Sequence, residues 1–166
     1  MRRYVLMALV PGLAAGGIWL AGNPSPTHAA TQLSFTTHRT NIAFITAANG
    51  VVPYPMGPLS AGDRIVLSDD LLQGGTTVGS DYGVCTVTFD ANAVCDVIAT
   101  FTDQGQVHAS YMLQWPSSAD SAGPTAFDGI IDGGTLAFQD AHGSFHADAL
   151  PNGDYRFTAT IPDPAQ

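Results

Sequence analysis

The clearest structural pattern in the chain is residues 78–102, which read VGSDYGVCTVTFDANAVCDVIATFT. Apolar and polar side chains alternate on both sides of Asp90-Ala91-Asn92, and a period of two is typical of β-strands with one buried face. Cys85 and Cys95 both fall among the apolar positions. The pattern therefore predicts a β-hairpin whose two cysteines share one face of a sheet.

The chain contains 2 cysteines, and their placement predicts a structural disulfide between Cys85 and Cys95. An exported chain meets an oxidising compartment, in which such a pair closes. Closing so short a loop stabilises the fold by roughly 2–3 kcal/mol in the chain-entropy treatment. The spacing is not that of a C-x-x-C redox pair, and two thiols are too few for a zinc–cysteine site. We therefore expect a structural bond and no metal.

Further strands follow at short intervals along the chain. They are predicted within Thr31–Tyr54, and at Asp63–Ser68, Val107–Trp115, Phe127–Ile131, Gly143–Leu150 and Asp154–Ile161. Seven or eight short strands without a credible helix predict an all-β fold, either a barrel or a sandwich. An eight-stranded barrel has room for one small ligand.

Composition narrows the possible functions. The chain has 166 residues, the size of one domain, and only 11% of them are charged. All 14 acidic residues are Asp and all 5 basic residues are Arg, which gives a formal charge of −9. A nucleic-acid partner is disfavoured because phosphate binding needs clustered basic residues. The absence of lysine excludes a Schiff-base mechanism.

The N-terminal residues have the features of a secretory signal peptide. Arg2 and Arg3 precede an interrupted apolar stretch, Val5–Leu20, and small residues lead up to Ala29. We expect cleavage after Ala29, secretion, and no stable membrane insertion after cleavage. The alternative is a membrane anchor, although the apolar stretch is shorter than the roughly 20 residues that span a bilayer. The predicted organisation is a signal peptide (1–29), an extended segment with a Pro-rich loop (30–62) and a β-barrel domain (63–166).

Three segments together resemble a known family. They are GDRIVLSDDLLQGGTTVGSDYGVC (62–85), VCDVIATFTDQGQVHASYML (94–113) and GIIDGGTLAFQDAHGSF (129–145). Their order and spacing are similar to those of the allene oxide cyclase barrel-like family, which groups with plant dirigent proteins. The chain resembles an exported bacterial member of that family. The resemblance implies an eight-stranded antiparallel up-and-down β-barrel with a hydrophobic interior.

The resemblance also implies a function, namely a cofactor-independent cyclase or isomerase that holds a reactive hydrophobic molecule in one conformation. Confinement in a near-attack geometry itself lowers a barrier by several kcal/mol. Asp69 and Asp70 match the family's acidic step, and either is a candidate general acid at the barrel mouth. The competing interpretation of this pair is a solvated turn.

The strand after Gly105 offers two alternative sets of site residues. Tyr111 and Trp115 share one face, where they either line a cavity or fill a core, and His108 lies on the other face. His108 is a candidate proton shuttle only if its own face points inward, and alternation alone does not say which face does. The predicted ligand-binding residues are aromatic: Phe101, Tyr111, Trp115 and Phe138.

Three functions remain open from the sequence. The first is the cyclase or isomerase, and the second is a non-catalytic, lipocalin-like carrier of a small hydrophobic organic ligand. The third is a structural extracellular protein with a filled core. A homo-oligomer is compatible with each of them. An interior volume near 300 Å³ or more, typical of ligand sites, favours the first two functions over the third.

Overall fold

The computed structural model describes residues 30–47, 49–52, 59–89, 92–114 and 124–162. The predicted signal peptide, its cleavage site and the alternative membrane anchor lie outside these residues. Within the described part of the chain, no helix is long and apolar enough to cross a membrane.

Nine antiparallel strands and one short helix form the described structure. They are β1 Ala30–Thr46, β2 Gly50–Val52, β3 Arg64–Gln73, β4 Thr76–Val87, β5 Asn92–Phe101, β6 Gly105–Gln114, β7 Ala126–Gly134, a 3-10 helix Leu136–Phe138, β8 Gly143–Ala149 and β9 Tyr155–Pro162. From β3 to β9 each strand pairs with the next along the chain, and β1 pairs with both β3 and β9. This closes an eight-stranded up-and-down barrel, to which β2 adds one extra strand through β1. The predicted barrel is confirmed, and the sandwich alternative is wrong.

The predicted hairpin is β4 and β5, joined by the predicted disulfide. Cys85 and Cys95 are directly opposed across the two strands, with Cα atoms 3.9 Å apart, and both side chains are buried. The alternation seen in the sequence therefore corresponds to the inner and outer faces of the barrel wall. The structural disulfide is confirmed.

The boundary predicted at residue 62 does not match the barrel. β1 lies within the segment assigned to residues 30–62, yet it closes the wall between β3 and β9. A β-bulge interrupts β1 between Arg39 and Asn41, so the inward positions run through Arg39 and resume at Ile42. A bulge adds one unpaired residue and breaks the period of two, which obscured the inward face of this strand in the sequence.

The β3–β4 connection is shorter than predicted. β3 continues to Gln73 and β4 starts at Thr76, whereas the predicted strand ended at Ser68 and the predicted hairpin pattern began at residue 78. Gly74 and Gly75 make the turn with φ of 57° and 82°, a left-handed conformation that glycine adopts at little cost. The strand was cut short in the prediction because Asp69, a polar residue, occupies an inward position. Asp69 and Asp70 therefore lie within a strand rather than at a turn.

Two clusters of buried residues form the inner face of the barrel. One buried cluster includes Phe101, Phe138 and Ile161 near the β5–β6 and β7–β8 connections. The other includes Phe44, Ile65 and the disulfide near the β4–β5 connection. Tyr111 and Phe127 pack against both clusters. Residues of both clusters line the cavity described next.

Candidate functional site

The barrel encloses a cavity of about 340 Å³. Its lining extends from Phe101 at one end to the loop residues Pro124 and Gly153 at the other. At the Phe101 end the 3-10 helix places the ring of Phe138 against that of Phe101, with centroids 5.4 Å apart. The volume lies in the range of small-molecule sites, so the interior is not filled by the protein's own side chains.

Most of the cavity wall is apolar and aromatic. Seven rings contribute to the lining: Phe35, Phe101, Tyr111, Phe127, Phe145, Tyr155 and Phe157. The rings hold one another in place, because Phe35 stacks on Phe157 at 5.3 Å and Tyr111 stacks on Phe127 at 4.8 Å. Such preformed aromatic walls favour flat, apolar ligands.

One patch of the wall is charged. Arg39, Asp69 and Asp81 are direct neighbours across β1, β3 and β4, since Arg39 pairs with Asp69 and Asp69 pairs with Asp81. All three line the cavity. The same row continues to the small apolar residues Ala99 and Val107 on β5 and β6. Strand register thus concentrates the charge on one side of the cavity and leaves the other side apolar.

Arg39 and Asp69 form a two-pronged ion pair. The Nε atom of Arg39 donates to Oδ1 of Asp69, and Nη2 donates to Oδ2 at 3.2 Å. The side chain of Asp69 is only 5% exposed, whereas that of Arg39 is 37% exposed. A buried carboxylate is stable only when it is paired, and this arrangement uses both oxygens of Asp69.

Asp81 is the unusual residue of the patch. It is 5% exposed, and its Oδ1 atom is buried without a hydrogen-bond partner in the described part of the chain. Burial raises its pKa to about 7, and the neighbouring carboxylate of Asp69 acts in the same direction. The positive charge of Arg39 and a hydrogen bond from the backbone of Asp69 only partly oppose this increase. Asp81 can therefore give or accept a proton near neutral pH.

Two tyrosines complete the polar surroundings. Burial, and then the negative charge of Asp81, raise the pKa of Tyr111, so its hydroxyl stays protonated. Burial also raises the pKa of Tyr155, whose hydroxyl donates to the carbonyl oxygen of Pro124 at 2.9 Å. The tyrosines thus offer hydroxyl groups and no additional charge.

The predicted acidic and basic residues are distributed over both faces of the wall. Asp69 points into the cavity, whereas its neighbour Asp70 points to the outer face. His108 also lies on the outer face, where its Nδ1 atom contacts Asp132, and Ser110 donates to the same carboxylate at 2.9 Å. His108 was a candidate proton shuttle only if its face of β6 pointed inward. The inward face is instead the one that carries Tyr111, so His108 does not reach the cavity.

The predicted aromatic residues are placed in three ways. Phe101 and Tyr111 line the cavity. Phe138 is buried behind Phe101 and closes that end of the barrel. Trp115 lies outside the described residues.

Sequence reasoning missed Arg39 and Asp81. Asp81 has the same parity as Cys85 and Val87, so extending the alternation backwards by two steps places this carboxyl on the buried face. Arg39 has the same parity as Phe35 and Thr37, but the bulge that follows obscured the pattern. A charged residue within the run of inward positions is the sequence signal that could have identified both residues.

Among the described residues, no three His, Cys or Asp side chains come together in a way that could hold a metal ion. The polar residues that line the cavity include Asp81, the Arg39–Asp69 pair, Thr37 and the two tyrosines. Together they can donate hydrogen bonds and exchange one proton inside an otherwise apolar space.

Comparison with known proteins identifies relatives of the fold. No protein-family model matches the chain, and no curated protein matches it. Among solved structures, pyocyanin demethylase is similar, with a TM-score of 0.57 and 20% identity over 79% of this chain and 99% of the other. The pterocarpan synthase dirigent protein PsPTS1 has a TM-score of 0.56 and 19% identity over 80% of this chain and 93% of its own.

A second pterocarpan synthase dirigent protein, GePTS1, has a TM-score of 0.60 and 16% identity over 83% of this chain and 87% of its own. At these identities the likeness concerns the fold. The comparison therefore supports the barrel fold that the resemblance implies, while the dirigent-like family, the likeness to allene oxide cyclases and a bacterial origin stay predictions.

Proposed function

We propose that this chain is an exported barrel that holds one small hydrophobic molecule in its cavity and promotes its cyclisation or isomerisation by confinement. The observation that carries the proposal is the cavity of about 340 Å³, with aromatic walls and a single charged patch. A filled interior would have left only a structural role. The disulfide supports export, because such bonds persist in oxidising compartments.

In this proposal the aromatic rings fold the substrate and Asp81 moves a proton. Asp81 takes the role first assigned to Asp69 or Asp70, since its carboxyl is buried, faces the cavity and titrates near neutral pH. Asp69 acts by fixing Arg39 beside it. An isomerisation conserves every atom of the substrate, so the reaction needs no cofactor.

Proteins with related barrels are consistent with this proposal. One of them is named for a demethylation of pyocyanin and two for the synthesis of pterocarpans. These names show that the architecture accommodates enzymes acting on small organic molecules. They do not transfer a substrate to this chain. The runner-up, a lipocalin-like carrier, differs only in the absence of turnover.

Occupancy of the cavity is tested with N-phenyl-1-naphthylamine, a neutral fluorophore whose emission rises in apolar surroundings. The full chain is compared with Ala109→Phe, which fills the cavity from β6, and with Met112→Phe, which adds a ring to the outer face of the same strand. We expect the fluorophore to bind the parent chain and Met112→Phe, and Ala109→Phe to lose most of the binding. Equal binding by all three, or no binding, would overturn both the enzyme and the carrier.

Turnover is tested separately by mass spectrometry. The full chain and Asp81→Ala are incubated with an apolar extract of the culture medium from which the protein is isolated. The proposal expects one compound to be converted by the parent chain into another of identical mass but different retention time. If the fluorophore binds and no such pair of isomers forms, the chain is a carrier and not an enzyme.

A further inference from the structure

The unpaired oxygen of Asp81 defines what kind of ligand the cavity can accept. A buried polar atom without a partner is costly, and in native structures such atoms commonly meet a water or a ligand. Asp81 is only 5% exposed, yet it belongs to the cavity wall. Because Oδ1 has no hydrogen-bond partner among the described residues, the Asp81 carboxyl has unused hydrogen-bonding capacity at the cavity wall.

The charges around Asp81 indicate the sign and the hydrogen-bonding type of that molecule. Arg39 on β1 is the cation of the charged patch, and it already binds both oxygens of Asp69 on β3. Asp81 itself lies on β4, and its neighbours in the same row on β5 and β6 are Ala99 and Val107, which carry no charge. A ligand carboxylate would thus face two carboxyl groups and a cation that is already neutralised.

Filling the cavity changes the state of Asp81 as well. An apolar ligand displaces water from around the carboxyl, and removal of water disfavours its charged form. A neutral carboxyl then presents an O–H donor at the cavity surface. Tyr111 on β6 and Tyr155 on β9 stay neutral under the same burial, so they add hydroxyl groups but no negative charge.

Resting on the proposed function, we propose that Asp81 binds its ligand as a neutral acid, donating a hydrogen bond to the carbonyl oxygen of an uncharged conjugated ketone or quinone. The cavity consequently rejects carboxylates such as fatty acids. Ligand uptake is coupled to the uptake of one proton. Acidic conditions load the cavity and alkaline conditions empty it.

The pH dependence of ligand binding can be calculated from the titration of Asp81 in the ligand-free protein. With a pKa of about 7 for Asp81, the neutral fraction falls from about 0.9 at pH 6 to about 0.01 at pH 9. If only the neutral form binds the ketone, the apparent Kd rises by about 100-fold across this range. At pH 8 each binding event takes up about 0.9 proton.

Three naphthalenes of similar size test the selection: 2-acetylnaphthalene, 2-ethylnaphthalene and 2-naphthoate. Binding to the full chain is measured by titration calorimetry at pH 6 and pH 9. Measurements at pH 8 in buffers of different ionisation enthalpy count the protons taken up. Asp81→Asn keeps a neutral donor at the site, Asp81→Leu removes it, and Asp70→Asn removes a carboxylate from the outer face of β3.

We expect the ketone to bind at least tenfold more tightly than the hydrocarbon at pH 6, and the carboxylate to bind most weakly. The pH dependence and proton uptake should persist in Asp70→Asn and vanish in Asp81→Asn. The preference for the ketone over the hydrocarbon should vanish in Asp81→Leu. Persistence of the pH dependence in Asp81→Asn would assign it to another group and refute the role of Asp81.

These measurements test the role of Asp81 separately from the ability of the barrel to bind a ligand. If ketone and hydrocarbon bind equally at both pH values, or if the carboxylate binds best, the role of Asp81 is refuted while the ligand-binding barrel stands. If none of the three binds and the fluorophore also fails to bind, the ligand-binding barrel itself is refuted.

Discussion

Replacement of Asp81 by Asn should change how the stability of the protein depends on pH. The folded-state pKa of Asp81 is about 7, against an ordinary value of 3.8, because burial and the carboxylate of Asp69 disfavour the charged form. Between these two values the folded state binds more protons than the unfolded state. The free energy of unfolding therefore falls as pH rises from about 4 to about 7, and this contribution levels off above 7.

The size of the change in unfolding free energy follows from the difference between the folded-state and ordinary pKa values of Asp81. At 1.36 kcal/mol for each pH unit, ionisation of Asp81 costs the folded state about 4 kcal/mol at pH 8 and above. Asn has nearly the same shape and does not ionise. We expect Asp81→Asn to have about the stability of the parent chain at pH 4, and to exceed it by up to about 4 kcal/mol at pH 8.

The assay is equilibrium unfolding in urea at pH 4, 6, 7 and 8.5, followed by tyrosine and tryptophan fluorescence. Asp70→Asn is the matched control, since it removes one carboxylate from the neighbouring position on the outer face of β3. A gain in stability for Asp81→Asn that is the same at every pH would refute the reasoning. A gain of the same size and pH profile in Asp70→Asn would show that net charge, and not the buried carboxyl, is responsible.

Three further changes should affect stability through different features of the barrel. Replacing Cys85 and Cys95 by Ala should lower the free energy of unfolding by about 3 kcal/mol, measured in urea, since the closed loop restricts the unfolded chain. Arg39→Met should cost about 2 kcal/mol because it leaves Asp69 buried without its cation, and the double variant with Asp69→Asn should recover most of that loss in the same unfolding experiment. Gly129→Ala should lower the melting temperature, at a cost of about 1–3 kcal/mol, because its added carbon would lie 2.3 Å from the ring of the facing phenylalanine on β8.

Each of these changes has a control within the chain. Addition of a reductant should destabilise the parent protein as much as the cysteine replacements do. Gly133→Ala lies on the same strand as Gly129, but its added carbon meets nothing nearer than 3.9 Å, so it should leave the melting temperature nearly unchanged. Equal effects at Gly129 and Gly133 would contradict the packing argument. Failure of the double variant to recover stability would contradict the pairing of Arg39 with Asp69.

The strands of the barrel wall were predictable because the alternation of inward and outward residues is a local pattern in the sequence. Toward the turn of the disulfide hairpin, buried and exposed residues alternate strictly and both cysteines fall on the buried face, so the two faces could be read directly from the sequence. Closure was not deducible from the same pattern. It requires pairing between β1 and β9, whose residues are far apart in the chain. The resemblance to a known family supplied that element of the prediction.

The charged patch was only partly predictable, for a physical reason. It forms where three strands each break the rule that inward positions are apolar, at Arg39, Asp69 and Asp81. Asp69 was found because it belongs to an acidic pair, but which residue of that pair faces inward depends on the register of the strand. Asp81 is important because it is buried in the cavity wall beside Asp69 and Arg39, and adjacency across strands depends on the register of the sheet.

The pairing of β1 with β9 has a consequence for how the molecule is made. Ala30 is opposite Pro162, so the barrel stays open between its first and last strands until β9 is available. Topologies dominated by such distant pairings fold slowly. A growing chain therefore cannot close its barrel before β9 has been synthesised, and in the export proposed above it would cross the membrane before this closure.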